Sequence, residues 1–356
     1  MNRTFTAQEI DAQPAIWRSW ATDLASKAES IRDWIAARAP REIWLSGAGS
    51  SAYIGETLSR RITLGKPRLM PLATTDLVSC PGLGANRPGP ILSIQFGRSG
   101  NSSETLGVMD LLDAHLPEID RLQITCNPES ALAQRSGPGP GQTRMLVLPE
   151  ATHDRGFAMT SSFTTMYLAA LACLDPNFDA SAVLPALADA ADAALPQLWS
   201  MPASMPGRAI FLGSGALTPI ARESALKVLE LTAGRCMTQW DSTLGFRHGP
   251  KAAVDDDTSV FVMIHPDPRV ARYDLDLVEE IRDQFPGLRV TTIGEEACDI
   301  GLDLTGTGGD PILFVLPAQI LSHRWSEDLG LPVDDPFAGR NLTRVVSGVK
   351  LYGWQA

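Results

Sequence analysis

The stretch Ile43-Trp-Leu-Ser-Gly-Ala-Gly-Ser-Ser51 (IWLSGAGSS) decides how this chain is read. Its apolar start predicts a strand over 42–46, and the apolar periodicity that follows predicts a helix over 52–62, joined by a Gly/Ser turn. Strand, Gly/Ser loop and helix together present backbone N–H groups and a helix N-terminus to a phosphate. A tight turn also needs glycine for steric reasons alone, so both readings stand at this point. The pattern returns at Ile210-Phe-Leu-Gly-Ser-Gly-Ala-Leu-Thr218 (IFLGSGALT), with a strand over 209–212, the loop Gly213-Ser214-Gly215-Ala216, and a helix opened by Pro219. Two such units predict a duplicated α/β protein, each half a parallel sheet flanked by helices in three layers (α/β/α).

The surrounding chain fits that frame. Trp17, Trp20, Leu24, Ala28, Ile31, Trp34 and Ile35 recur at helical spacing, so 8–38 reads as a leading helical hairpin. Further strands are expected over 69–72, 91–96, 122–125, 145–148, 260–264, 288–293 and 312–315. Helices are expected over 106–112, 163–174, 182–198 and 275–285, with a cap at Ala73-Thr74-Thr75-Asp76. The strand 91–96 empties into Gly97-Arg98-Ser99-Gly100-Asn101-Ser102-Ser103-Glu104-Thr105. This loop holds more hydroxyls and amides than a turn requires. It suits either a phosphate cradle with Arg98 as a guanidinium fork, or a Ser/Asn-rich helix cap. Ser200–Pro206 (SMPASMP) is the expected boundary, which divides the chain into a helical segment 1–40, domains 41–200 and 201–333, and a tail 334–356. The tail carries Arg340, Asn341, Arg344 and Lys350, donors able to close over an anionic ligand or to stand in solvent.

Composition narrows the partners. A chain of 356 residues with 44% hydrophobic and 20% charged residues is ordinary for a soluble globular protein of two domains. Its net charge of −11 argues against nucleic acid or an anionic membrane as partner. The five cysteines, Cys80, Cys126, Cys173, Cys236 and Cys298, are odd in number and widely spaced, with no C-x-x-C pair. That is the usage of a reducing cytoplasm rather than of a disulfide framework or a zinc site. The start MNRTFTAQEIDAQP has no apolar h-region, and no long apolar run occurs. A cytosolic, soluble protein is expected.

The densest chemistry lies between Arg222 and Pro250 (RESALKVLELTAGRCMTQWDSTLGFRHGP). Glu223, Lys227 and Glu230 are spaced four and three apart, which places them on one helix face. Ala225, Leu226, Val228, Leu229 and Leu231 fill the other faces, so the helix is expected to be largely buried. Burying carboxylate, ammonium and carboxylate together is costly without partners; an exposed helix with two ordinary ion pairs is the plainer alternative. A loop then delivers Arg247 and His248 just before Gly249-Pro250. His153, alone in a loop, reads as a hydrogen-bonded bystander.

Eight segments in one order carry a family resemblance. They are GAGSSAYIG (47–55), TTDLV (74–78), FGRSGNSSET (96–105), TCN (125–127), HDRGFAMTSS (153–162), ARESALKVLELTAG (221–234), GFRHGPK (245–251) and YDLDL (273–277). From about residue 8 onward the chain resembles the tandem sugar isomerase (SIS) proteins, and in particular the bacterial galactosamine-6-phosphate deaminase/isomerase group. It is also similar to the isomerase half of glucosamine-6-phosphate synthase, without that enzyme's glutaminase domain. The resemblance implies phosphate loops at Gly49, Ser50, Ser51, Ser99 and Ser102, with Arg98 and Asn101 alongside. It implies that Glu230 moves a proton between C1 and C2, with Glu223 and Lys227 as companions. His248 would open the sugar ring, supplied across a dimer interface in related proteins. Two departures stand out: Gly97 and Arg98 occupy positions that are serine or glutamine in the synthase, and Arg344 aligns with a synthase lysine. Arginine stays protonated and cannot form an imine.

The implied reaction is a deaminating isomerisation of galactosamine 6-phosphate to tagatose 6-phosphate, with no metal and no organic cofactor. Glucosamine-6-phosphate deamination, fructosamine-phosphate deglycation, plain aldose–ketose isomerisation and a non-catalytic sugar-phosphate-binding module are the alternatives. A regulator would need a helix-turn-helix, and residues 1–40 are too few to hold one.

Overall fold

A computed structural model describes residues 3–62, 67–84, 89–202, 204–295, 297–340 and 342–353. They form two compact units that interleave along the sequence. One comprises Ser19–His153, Ser161–Ser181 and Thr343–Ala356, the other Met1–Arg18, Asp154–Thr160 and Ala182–Leu342. Helix α1 (Phe5–Arg38) supplies residues to both.

The first unit holds a five-stranded sheet built from β1 (Glu42–Ser46), β2 (Arg68–Pro71), β3 (Ile91–Gly97), β4 (Asp120–Thr125) and β5 (Thr143–Val147). Helix α2 (Ser50–Arg61) follows β1, α3 (Thr74–Ser79) follows β2, α4 (Ser103–His115) follows β3, and the short α5 (Ala131–Gln134) follows β4. Helix α6 (Ser161–Leu174) completes the unit, and α7 (Ala180–Ser200) leads into the other. The strand order is β2-β1-β3-β4-β5, parallel throughout. Every residue of α6 is buried, as expected for a helix that is apolar all round, and it packs on α2 and β4. Trp44, Leu77, Ile91, Val108 and Leu112 form the core between the sheet and α3–α4.

The second unit repeats the plan. Its sheet contains β6 (Arg208–Gly213), β7 (Met237–Asp241), β8 (Thr258–Met263), β9 (Arg289–Gly294) and β10 (Ile300–Gly301). Helices α8 (Leu217–Leu231), α9 (Thr243–Phe246), α10 (Pro268–Gln284) and α11 (Leu316–Asp328) surround it. The order β7-β6-β8-β9-β10, again all parallel, matches the first sheet strand for strand. Ile210, Leu212, Val260, Val262, Leu277 and Ile281 pack α10 against one face, and α8 with α11 covers the other. The duplication therefore holds at the level of topology. The register of its two loops differs by one residue from the alignment of IWLSGAGSS with IFLGSGALT. Gly47 corresponds to Gly213, since a Cβ on either would meet the residue four further on, at 2.6 Å from Ser51 and 2.8 Å from Leu217. Gly49 and Gly215 correspond in turn, both at positive φ.

Two expectations are corrected. The predicted N-terminal hairpin is a single helix of 34 residues, with Pro14 inside it. Pro14 lies within 8–38 without dividing it, and Trp17, Trp20, Leu24, Ala28, Ile31 and Trp34 are all buried along one stripe. The predicted strand 312–315 is instead a 3₁₀ segment (Asp310–Val315) running directly into α11. Short apolar runs buried on every side carry no period, and the Asp310 carboxylate ties this one to the preceding turn by accepting from Thr305 N and Thr307 N. Strands β7 and β10 and helix α11 have no counterpart in the sequence reading. Among the described residues, no helix is long and apolar enough to cross a membrane.

Candidate active site

Helix α8 carries Glu223, Lys227 and Glu230 on one face, and the fold buries most of that face. The side chains of Glu223 and Lys227 are 0% and 1% exposed, whereas Glu230 keeps 25%. Lys227 Nζ lies 2.7 Å from Glu230 Oε2 and 3.2 Å from Glu223 Oε1. The exposed-helix alternative is thereby excluded. Burial by itself pushes the Lys227 pKa down, but the charges of Glu223 and Glu230 outweigh it and the net shift is upward, so the ammonium is retained. One cation between two carboxylates leaves the array one negative charge in excess. Arrays of this kind are weak contributors to stability, because desolvation offsets the Coulombic gain.

His248 follows α9 in a loop ending at Gly249, whose φ of 122° favours glycine. Its backbone N–H donates to Gly245 O at 2.9 Å and its side chain is exposed. Arg247 and Lys251, which flank it, both pair with Glu280 on α10.

In the first unit, the loops after β1 and β3 lie at the ends of neighbouring strands, where the strand order reverses. Ligands bind at such switch points in doubly wound sheets. Ser50 and Ser51 occupy the first turn of α2, whose N-cap, Gly49, has no side chain to offer. A phosphate at that N-terminus would be stabilised by the amide dipoles. In the second loop, Ser99 Oγ accepts from Asn101 N and Asn101 Oδ1 accepts from Ala131 N at 2.8 Å. Ser102 caps α4, accepting from Thr105 N. The cap reading of this loop is therefore present in the structure. The buried Arg98 donates to the carbonyl of Arg344 at 3.1 Å, and Ser103 N donates to Val346 O at 3.1 Å. The tail therefore reaches this loop through its main chain, while the Arg344 side chain is exposed. Asn341 lies outside the described residues.

D-Galactosamine-6-phosphate deaminase AgaS of Escherichia coli is 38% identical to this chain over 377 residues, covering 99% of this chain and 97% of that protein. The chain belongs to the D-galactosamine-6-phosphate deaminase family of tandem SIS proteins. The crystal structure of tagatose-6-phosphate ketose/aldose isomerase from Escherichia coli superposes with a TM-score of 0.89 at 36% identity, covering 99% of this chain and 98% of that one. A more distant relative, glutamine–fructose-6-phosphate aminotransferase of Pyrobaculum aerophilum, is 24% identical over 96% of this chain and 57% of its own length. No family model matches the chain.

The sequence reading passed over a buried cluster in the second unit. Asp274, within the YDLDL segment, is fully buried and accepts from Ser214 Oγ, Thr243 Oγ1 and His265 N. An aspartate inside an otherwise amphipathic helix pattern was the available signal. Asp274 falls on the stripe of Leu277, Val278 and Ile281, whereas Asp276 and Glu279 fall on the exposed face.

Proposed function

We propose that the chain catalyses the deaminating isomerisation of galactosamine 6-phosphate to tagatose 6-phosphate and ammonia. The observation that carries this reading is Glu230, a partly accessible carboxylate held beside a buried ammonium. In the open-chain amino sugar, the aldehyde acidifies the hydrogen on C2. Glu230 removes that proton to give an amino-enol and returns it to C1, leaving a ketose imine at C2. Water adds to the imine carbon and the C–N bond breaks, releasing ammonia and the ketose. Lys227, paired with Glu230 at 2.7 Å, stabilises negative charge developing on O1, and Glu223 holds Lys227 in place.

The phosphate is assigned to Ser50, Ser51, Arg98, Ser99, Asn101 and Ser102, with Gly49 leaving the α2 N-terminus open to an anion. His248 is assigned the ring-opening step. Its exposure, with both neighbours restrained, supports the reading that it acts on the site of a second copy in a cytoplasmic homodimer. We assign residues 41–200 and 201–333 to the two SIS domains and 334–356 to a tail that closes over the phosphate loop.

The deciding experiment incubates purified protein, without added metal, with galactosamine 6-phosphate and separately with glucosamine 6-phosphate. Ammonia and an equal amount of ketose phosphate from the galacto sugar are expected. Release from the gluco sugar alone, or from neither, overturns the assignment.

A further inference from the structure

In the second sheet, the switch point between β6 and β8 is occupied by the chain's own carboxylate. Asp274 Oδ1 accepts from Ser214 Oγ at 2.6 Å and from Thr243 Oγ1 at 2.8 Å, and Oδ2 accepts from His265 N at 2.9 Å. Ser214 precedes α8, Thr243 opens α9, and His265 follows β8, so one buried group ties three loops together. The corresponding crevice of the first sheet is where hydroxyls and a helix N-terminus await an external anion. Here Ala216 and Leu217 replace Ser50 and Ser51 in the structural register, and the anion is built in. Further along the same helix, Glu280 accepts from Arg247 Nε at 2.6 Å and pairs with Lys251, which also donates to Gln284 Oε1 at 2.8 Å.

We propose that α10 is a brace for the His248 loop, and that Asp274 and Glu280 are positioning residues for His248. This rests on the function proposed above. Asp274 anchors the entry to 243–251 and Glu280 grips both sides of the histidine. Between those grips stand Gly245 and Gly249, the latter at positive φ, so the unbraced loop has freedom to lose. The Glu280 pairs are a quarter exposed, and exposed ion pairs contribute little to global stability. Their effect is positional: a catalytic group displaced by about 1 Å loses much of its rate advantage.

The test uses the full chain and Glu280→Gln, a half-buried position that tolerates the change better than Asp274→Asn. Amide hydrogen exchange over 243–251 is expected to rise at least tenfold, with the melting temperature nearly unchanged. On galactosamine 6-phosphate, kcat is expected to fall at least tenfold while KM stays within about twofold, with partial recovery in Glu280→Asp. Unchanged exchange in 243–251 overturns the brace. Raised exchange with unchanged kcat overturns the positioning role. A wild-type protein that releases no ammonia instead overturns the function reading, and the exchange measurement still decides the brace.

Discussion

Lys227 holds Glu230 through a 2.7 Å ion pair in which the lysine is buried and the glutamate is partly open to solvent. A proton-transfer group must be able to reach substrate, and the partial exposure of Glu230 leaves its carboxylate accessible beside the buried lysine. Glu230→Gln keeps the shape and removes the base. The variant is expected to lose at least 10²–10³-fold in kcat while galactosamine 6-phosphate still raises its melting temperature. Retained turnover in the folded variant would remove Glu230 from the base assignment.

Replacing Lys227 with methionine leaves Glu223 and Glu230 facing each other across an apolar gap. Removing one member of a buried ionic array costs on the order of 3–5 kcal/mol, so Lys227→Met is expected to melt well below wild type. Adding Glu223→Gln removes one of the two facing carboxylates and is expected to recover much of that loss without restoring activity. Equal melting temperatures for the single and double variants, read by calorimetry, would show that Glu223 is not held by Lys227.

Glu9 supplies a pH dependence. Its carboxylate accepts from Arg155 N and Gly156 N, in a pocket shared with Asp154 and Asp334. Burial first, and then the Asp154 charge, raise its pKa from 4.5 to about 7. A carboxyl with a raised folded-state pKa contributes stability that is full below 4.5 and is lost as pH rises through 7. His323 works oppositely, since burial lowers its pKa. The difference between Glu9→Gln and wild type isolates the Glu9 contribution. The variant's melting-temperature advantage is expected to grow between pH 5 and pH 8, by on the order of 5 °C. A constant offset across that range would contradict the shift.

The tail touches the loop after β3 through Arg344 O and Val346 O, and Val349 N donates to Ser103 Oγ at 3.2 Å. Truncation after Leu342 is expected to raise KM for the sugar phosphate about five- to tenfold, worth about 1 kcal/mol of binding, with little change in melting temperature. Gly107→Ala provides a milder displacement, because its Cβ would come within 2.5 Å of Leu351 Cδ1. Unchanged KM in both variants would separate the tail from substrate binding.

Much of this protein is written locally. A helix pitch puts residues four and three apart on one face, so Glu223, Lys227 and Glu230 were legible before any coordinate was known. Alternation of apolar runs with Gly/Ser turns was likewise enough to identify two α/β repeats, because glycine is required where a Cβ on Gly47 or Gly213 would come within 3 Å of the following helix. The all-round apolar run at 312–315 was not legible: burial on every side erases the period that separates strand from helix. Nor was the single N-terminal helix, where the choice between one helix and two depends on what the apolar stripe packs against.

Only the tertiary structure decided which charges are buried. The packing of α11 and β6 on α8 removes Glu223 and Lys227 from water and leaves Glu230 at the edge. The return of α10 across β8 places Asp274 among Ser214, Thr243 and His265, residues up to sixty positions away in sequence. Sequence spacing determines which groups share a helix face, because that geometry is set within a turn or two of chain. Burial and long-range hydrogen bonding depend on which elements meet, and that is settled only when the whole chain has folded.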